Sequence, residues 1–198
     1  MGTEGRVRDT GFPIKEILIV VGCLLCQMGA GFFYGSRALA PEVISELGWS
    51  RTEWASGMAP MLIVSSVGQA FVGIACTRFG VRPVVVAALG CLATSVVLFS
   101  WMQSLTQFYV AMMILALANA GIGDVSIGSV VTKWFSRRRS IALGFAMVGS
   151  NLGSVIYIGA MARMLPDWGW RGASIFVGLG GVALILPFAL LVLRDPRP

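Results

Sequence analysis

The sequence predicts an all-α membrane protein: six transmembrane helices in a three-plus-three inverted repeat. Three observations carry the membrane assignment. The 198 residues are 57% hydrophobic and only 12% charged, against roughly 25% charged in soluble domains, and mean hydropathy is +0.83. So few charges do not cover a water-facing surface. The apolar residues fall into six runs, each near the ~20 residues a helix needs to cross a bilayer. The remaining charges gather between the runs and favour alternate connections, which is how topology is encoded. That placement explains the net charge of +6 without nucleic acid as a partner.

The first run, about Ile14–Leu39, follows Arg6, Arg8 and Lys15. It is too long for the apolar core of a signal peptide, and no small-residue cleavage site follows, so it reads as a retained helix. The others are about Glu53–Cys76, Pro83–Trp101, Thr106–Val131, Ser140–Ala162 and Gly172–Leu193. Short connections make each helix antiparallel to the next. Pro60 and Pro187 lie inside predicted helices, where proline kinks the backbone. One side of the membrane collects Arg6, Arg8, Lys15, Arg78, Arg82, Lys133, Arg137, Arg138, Arg139, Arg194 and Arg197. The other collects Arg37, Arg51, Arg163 and Arg171. The richer side is expected to be cytoplasmic, with both termini on it, in a multi-pass protein of the cell (inner or plasma) membrane. All six tryptophans fall near helix ends, as in an interfacial belt.

Cofactor and metal chemistry are not expected. The chain has no histidine, the commonest metal ligand and neutral-pH base. Cys23 and Cys26 form a CxxC, but inside an apolar run without the polar context of a zinc or redox site. They read as small packing residues. No nucleophile, base and acid cluster near one interface, so an enzyme is not expected.

Two spacings bear on packing. Gly31-x-x-x-Gly35 and Gly149-x-x-x-Gly153 allow helix backbones to approach closely in lipid. A faint repeat relates the two halves. Trp49-Ser50-Arg51 with Ala55 and Gly57 matches Phe135-Ser136-Arg137 with Ala142 and Gly144. Gly80-Val81-Arg82 matches Gly169-Trp170-Arg171. Three helices separate the copies, so they fall on opposite sides of the membrane, as in an inverted repeat.

The connection after the second run reads Gly73-Ile-Ala-Cys-Thr77-Arg78-Phe-Gly80-Val-Arg82-Pro83. Gly73 permits a close helix contact, Gly80 a tight turn, and the arginines hold the loop in the cytoplasm. It resembles the major facilitator superfamily motif G-x-x-x-D-R-x-G-x-[RK], at the same place. The stretch Trp134-Phe135-Ser-Arg137-Arg138-Arg139-Ser-Ile-Ala142-Leu-Gly144, continuing to Gly149 and Gly153, resembles the fifth-helix signature of the monocarboxylate-porter and oxalate/formate-antiporter branch. So does Pro41…Leu47-Gly48-Trp49-Ser50-Arg51. The resemblance implies the N-terminal six-helix bundle of a major facilitator fold. It also implies alternating access with a second six-helix bundle, supplied by the same gene continued, a separate chain or a homodimer. Thr77 stands where the family has an acid, so a gate latched by that carboxylate loses its charge here.

Asp124 is the acid deepest in a predicted helix. It lies nine positions before Lys133, about 13 Å along a helix. A carboxylate there costs about 2.5–3.5 kcal/mol on insertion scales and should face a cavity or partner. It is expected to bind a coupling proton or a cationic substrate group; the alternatives are a local hydrogen bond, as to Ser126, or a protonated buried acid. Asn119 is a second polar residue of that helix. Gln27, Tyr34 and Arg37 lie along the first helix, cavity-facing by resemblance. Gln27 and Asn119 suit hydrogen bonds to substrate or between helices. Arg37 suits a carboxylate or an interfacial, snorkelling position. Lys133 and Arg137–Arg139 suit anchoring on anionic lipid. The expected function is secondary active transport of small organic solutes, carboxylates favoured, coupled to a proton or an anion. The rival is a non-transporting six-helix assembly partner or receptor.

Overall fold

The computed structural model describes residues 14–135 and 138–192. Among these the fold is all helix. The elements are α1 (Ile14–Met28), α2 (Gly31–Arg37), α3 (Ala40–Leu47), α4 (Arg51–Ser56), α5 (Met58–Phe79), α6 (Val81–Trp101), α7 (Leu105–Ile122), α8 (Asp124–Trp134) and α9 (Arg139–Val192). Five stretches are long and apolar enough to cross a membrane: 16–37, 51–79, 81–101, 105–134 and 139–190. The fifth belongs to a helix of 54 residues. At 1.5 Å per residue that is about 80 Å, more than twice a ~30 Å hydrocarbon core. Gly169 resolves the excess, because its φ of 62° and ψ of 176° lie outside the helical region. The chain turns there, giving span 5 before Gly169 and span 6 after it. Spans 1 to 4 are α1–α2, α4–α5, α6 and α7–α8.

Several helix ends are chemically specified. Ser50 Oγ accepts from the backbone N–H of Glu53 at 3.1 Å, while Glu53 accepts from the Ser50 N–H at 2.7 Å. This capping box starts α4 two residues before the sequence places the span. Pro60 sits in the first turn of α5, where no intrahelical N–H bond is lost, and the helix of span 2 is interrupted one turn before it, at Gly57. The segment 40–47, read from sequence as a connection, is the helix α3. It closes on Gly48 at φ 67°.

Spans 1 and 5 meet backbone to backbone. A Cβ on Gly149 would run into the carbonyl of Leu24, and one on Gly153 into Met28. Reciprocally, a Cβ on Gly31 would enter the Gly153–Ser154 backbone, and one on Gly35 would enter Tyr157. The two GxxxG spacings therefore face each other. Span 4 meets span 2 at Gly68, against Ala120 and Leu117, and span 3 where Gly121 lies on Ala88. Span 6 meets span 1 where Gly178 lies on Phe32 and Ile185 on Gly29. Spans 3 and 6 cross at Val96–Gly178 and at the 2.8 Å Ser100–Ser174 hydrogen bond.

Exchanging spans 1, 2, 3 with 4, 5, 6 maps this set of neighbours onto itself. The turn glycines agree: Gly80 has φ 86° and ψ 163°, and Gly169 φ 62° and ψ 176°. Both values lie in a region essentially reserved for glycine. Two apolar creases are likewise exchanged. One, of about 720 Å³, lies among spans 2, 3 and 4 beside Val67, Phe71 and Cys91. The other, of about 440 Å³, lies among spans 5, 6 and 1 beside Ile156, Phe176 and Leu184. The bundle is an inverted repeat in three dimensions.

One end is tied by a polar knot. Glu46, at the end of α3, pairs with Arg171 at 3.0 Å and accepts from Trp170 Nε1 at 2.7 Å. Arg171 lies 4.4 Å over the Trp170 ring and reaches the Ser100 carbonyl at 3.4 Å. The connections between spans 1 and 2, 3 and 4, and 5 and 6 thus share one end, as alternating helices require. Trp170 departs from the expected interfacial belt: it is 3% exposed and packs edge-on against Phe99. Trp49 and Trp54 pack against Phe108, while Trp101 and Trp168 remain exposed. The Glu46 and Arg171 side chains are 51% and 34% exposed, so the pair is expected to contribute at most about 1 kcal/mol. Glu46→Gln should therefore lower stability by about that amount and Trp170→Ala by about 3 kcal/mol or more, read from thermal unfolding in detergent. A Glu46→Gln loss as large as that of Trp170→Ala would contradict this ranking.

Candidate functional site

Among the described residues spans 1, 2 and 4 are interrupted, and the interruptions of spans 1 and 4 touch. Span 1 leaves the helix after Met28 and resumes at Gly31; the Gly29 and Ala30 amides bond back to Cys26 and Gln27 at 3.1 Å. Span 4 breaks at Gly123, whose φ of −80° and ψ of −158° are extended. A Cβ on Gly29 would lie 3.1 Å from Ile122 Cδ1, so the two breaks abut. Spans 1 and 4 are repeat mates, but the breaks are not equivalent positions: Gly121 on Ala88 corresponds to Phe32 on Gly178, which sets the mate of Gly123 near Tyr34. The sequence predicts both spans as unbroken helices, and the structure corrects this. Hydropathy continues through Gly29-Ala30 and through Ile122-Gly123, while the helical hydrogen-bond ladder does not.

Asp124 is consequently the first residue of α8, not a mid-helix residue. A carboxylate in a first helical turn is stabilised by the unpaired N–H groups and the dipole there, by about 0.3–1 kcal/mol. Gln27 completes the arrangement. It is 2% exposed, donates from Nε2 to Asp124 Oδ1 at 2.7 Å, and stands 3.7 Å from Met147 Sδ of span 5. Its Oε1 is buried and has no hydrogen-bond partner among the described residues. Asp124 itself is exposed on a side that this bundle leaves uncovered. Its partner is not Ser126, whose hydroxyl is buried 3.5 Å from Cys76 Sγ.

The other expected site residues are spread along the same spans. Asn119 is half-buried one turn before the break, and among the described residues no hydrogen bond reaches its side chain. Tyr34 and Arg37 are exposed on α2. Tyr34 meets Phe33 edge to face at 5.0 Å. Arg37 lies 5.7 Å over Phe33 and donates to Met58 Sδ at 3.5 Å, a weak acceptor. Among the described residues Arg37 has no carboxylate partner, so its guanidinium keeps most of its hydrogen-bonding capacity. The structure therefore joins Gln27 to Asp124 and leaves Asn119, Tyr34 and Arg37 apart from that pair.

At the turn between spans 2 and 3, the Thr77 hydroxyl donates to its own helix, at Ile74 O, 2.8 Å away. Arg78 lies 5.4 Å over the Phe79 ring, and Arg82 is half-buried. Gly80 makes the turn, as expected. Gly73 is not required by packing here: a Cβ would sit at an ordinary 3.8 Å from Val125. Of the fifth-helix pattern, Gly149 and Gly153 contact span 1, whereas Gly144 faces open space. Arg138 is half-buried, Arg139 is exposed at the start of α9, and Arg137 lies outside the described residues. Cys23 and Cys26 are buried free thiols, in keeping with packing residues. Sequence reasoning missed the Glu46–Trp170–Arg171 knot. It also missed the adjoining groove of about 450 Å³, beside Pro41, Glu42 and Gly169.

Interrupted helices meeting inside an inverted repeat, with a half-buried polar pair at the meeting point, are the architecture of a membrane-transport scaffold. A profile of the Major Facilitator Superfamily matches residues 17–198. The chain belongs to that superfamily. Among curated proteins it is similar to Monocarboxylate transporter 13 of Bos taurus, 31% identical over 144 residues that make 72% of this chain and 33% of the relative. It is 30% identical to Monocarboxylate transporter 11 of Mus musculus over 147 residues, 70% of this chain and 32% of the relative. It is 29% identical to Monocarboxylate transporter 3 of Rattus norvegicus over 205 residues, covering 99% and 40%. The chain thus spans about a third of the length of the first two relatives. It is a multi-pass membrane protein of a transporter family.

Proposed function

We propose that this chain is one bundle of a secondary active transporter for small organic carboxylates, working by alternating access with a second six-helix bundle in the cell membrane. The observation that carries this reading is the Gln27–Asp124 pair at the junction of two broken spans, beside a face the bundle leaves uncovered. A second bundle laid on that face encloses Asp124 in a cavity, where a carboxylate that gains and loses a proton couples solute movement to the proton gradient. Arg37 and Tyr34 receive the solute carboxylate nearer the outer mouth, where a guanidinium gives paired hydrogen bonds. Gln27 and Asn119 supply neutral hydrogen-bonding groups. The Thr77–Arg82 turn forms the cytoplasmic gate, with both termini on that side. The relatives, monocarboxylate transporters by name, favour monocarboxylates as the solute class.

The test is uptake of radiolabelled lactate and pyruvate into proteoliposomes under an imposed pH gradient, with the chain alone and together with a second bundle. Asp124→Asn is expected to reduce gradient-driven uptake at least tenfold, about 1.4 kcal/mol, while exchange without a gradient is less affected. Unchanged pH dependence in Asp124→Asn would remove this acid from coupling. Absence of uptake across a panel of organic acids, with stable assembly onto another membrane protein, would favour the assembly-partner reading.

A further inference from the structure

The Gln27 amide is only half used. It is 2% exposed, with Nε2 donating to Asp124 at 2.7 Å and Oε1 buried without a partner among the described residues. A buried unpaired carbonyl normally costs about 1–3 kcal/mol, so a glutamine is a poor choice if its only task is to donate one hydrogen bond. Unlike a lysine, which only donates, an amide carries a donor and an acceptor, and unlike a serine it carries them on two separate atoms of equal reach on one rotatable plane.

From this we infer that Gln27 is the protonation-responsive partner of Asp124. Its amide donates through Nε2 while Asp124 is ionised, and accepts through Oε1 when Asp124 carries a proton. The exchange is a half-turn of the amide plane about its terminal torsion, which is soft and roughly two-fold. A hydronium ion gives a proton to Asp124 Oδ1 and leaves as water, and the new O–H then donates to Gln27 Oε1. No covalent bond of Gln27 changes. Met147 Sδ, at 3.7 Å, is too weak an acceptor to hold the amide against the turn. Other charges stand off. On the elements packed against α8, Lys15, Glu16, Arg78, Arg82 and Arg139 lie near helix ends, as does Lys133 of α8 itself. Arg163, Asp167 and Arg171 of α9 lie near the Gly169 turn. Tyr109 of α7 and Tyr157 of α9 are phenols, Tyr109 hydrogen-bonded to Ser56. The thiols of Cys23 and Cys26 on α1 and of Cys76 on α5 are buried. Asp124 therefore reports its protonation chiefly to Gln27, and through Gln27 to span 1. The inference rests on Asp124 being the coupling acid of the proposed transporter.

The experiment is NMR of the full 198-residue chain in nanodiscs, labelled with 13C at aspartate and 15N at glutamine. The sequence contains four of each, so assignment by single substitution is direct. The expected result is that the Gln27 side-chain amide resonances move with the same pH midpoint as the Asp124 carboxyl carbon. In Asp124→Asn the Gln27 transition should vanish while the other three amides are unchanged. A Gln27 amide that stays fixed while Asp124 titrates overturns the inference and leaves the transport reading standing. A coupled transition in a protein that moves no carboxylate retains the inference and removes the transport reading. An Asp124 that holds one charge state throughout overturns both.

Discussion

Gly153→Leu is expected to drive span 1 away from span 5. At this position a side chain meets the backbone of Met28, and backbone has no alternative rotamer. The neighbouring helix must therefore move as a body. Overpacked sites usually lose about 1–3 kcal/mol, occasionally more. Here the loss should reach at least about 3 kcal/mol, because the opposing Gly31 contact is broken by the same displacement. The measurement is direct, since Cys23 and Cys26 lie on α1 and are fully buried, as is Cys76, while Cys91 is partly exposed. Maleimide labelling in detergent should find chiefly Cys91 in the native chain and should add Cys23 and Cys26 in the variant. Gly144→Leu is the control: it faces open space and should leave the thiols protected. Equal labelling of both variants would show that the glycine contact does not hold the spans together.

The second large effect falls on the turn glycines. Gly80 and Gly169 adopt positive φ with ψ near 180°, where a Cβ is strained whatever room surrounds it. Gly169 has nothing near its missing Cβ, so backbone strain is isolated from crowding there. Alanine at either position should cost about 1–3 kcal/mol. The sites lie at opposite ends of the bundle, so the double variant should lose the sum of the two single losses. Thermal unfolding of both singles and the double checks this. A harmless Gly169→Ala would mean that the turn can be made in another conformation.

The spans and the repeat were legible because they depend on quantities a sequence displays: runs of apolar residues, alternating charge, and the matched Gly80-Val81-Arg82 and Gly169-Trp170-Arg171. Asp124 stood out because an isolated acid in an apolar run is expensive. Its partner did not, since Gln27 lies 97 positions away and only packing brings spans 1 and 4 together. The breaks at Gly29-Ala30 and Gly123 were hidden for a different reason. Glycine is abundant in this chain, 25 of 198 residues, and hydropathy does not register a missing hydrogen bond. Trp170 was read as interfacial from its position at a helix end. Its burial follows from Glu46 and Phe99, which come from distant connections. Gly73 fitted a motif, but the reason assigned to it was not the one at work in this bundle.

The agreement of Gly80 with Gly169 has a consequence for biosynthesis. An object that looks alike when turned upside down offers the insertion machinery no shape by which to choose a way up. Its handedness in the membrane is then left to the unequal distribution of arginine and lysine, a property of a few replaceable surface residues and not of the fold. The same architecture could in principle be installed in either sense, which makes its orientation far easier to alter by mutation than its structure.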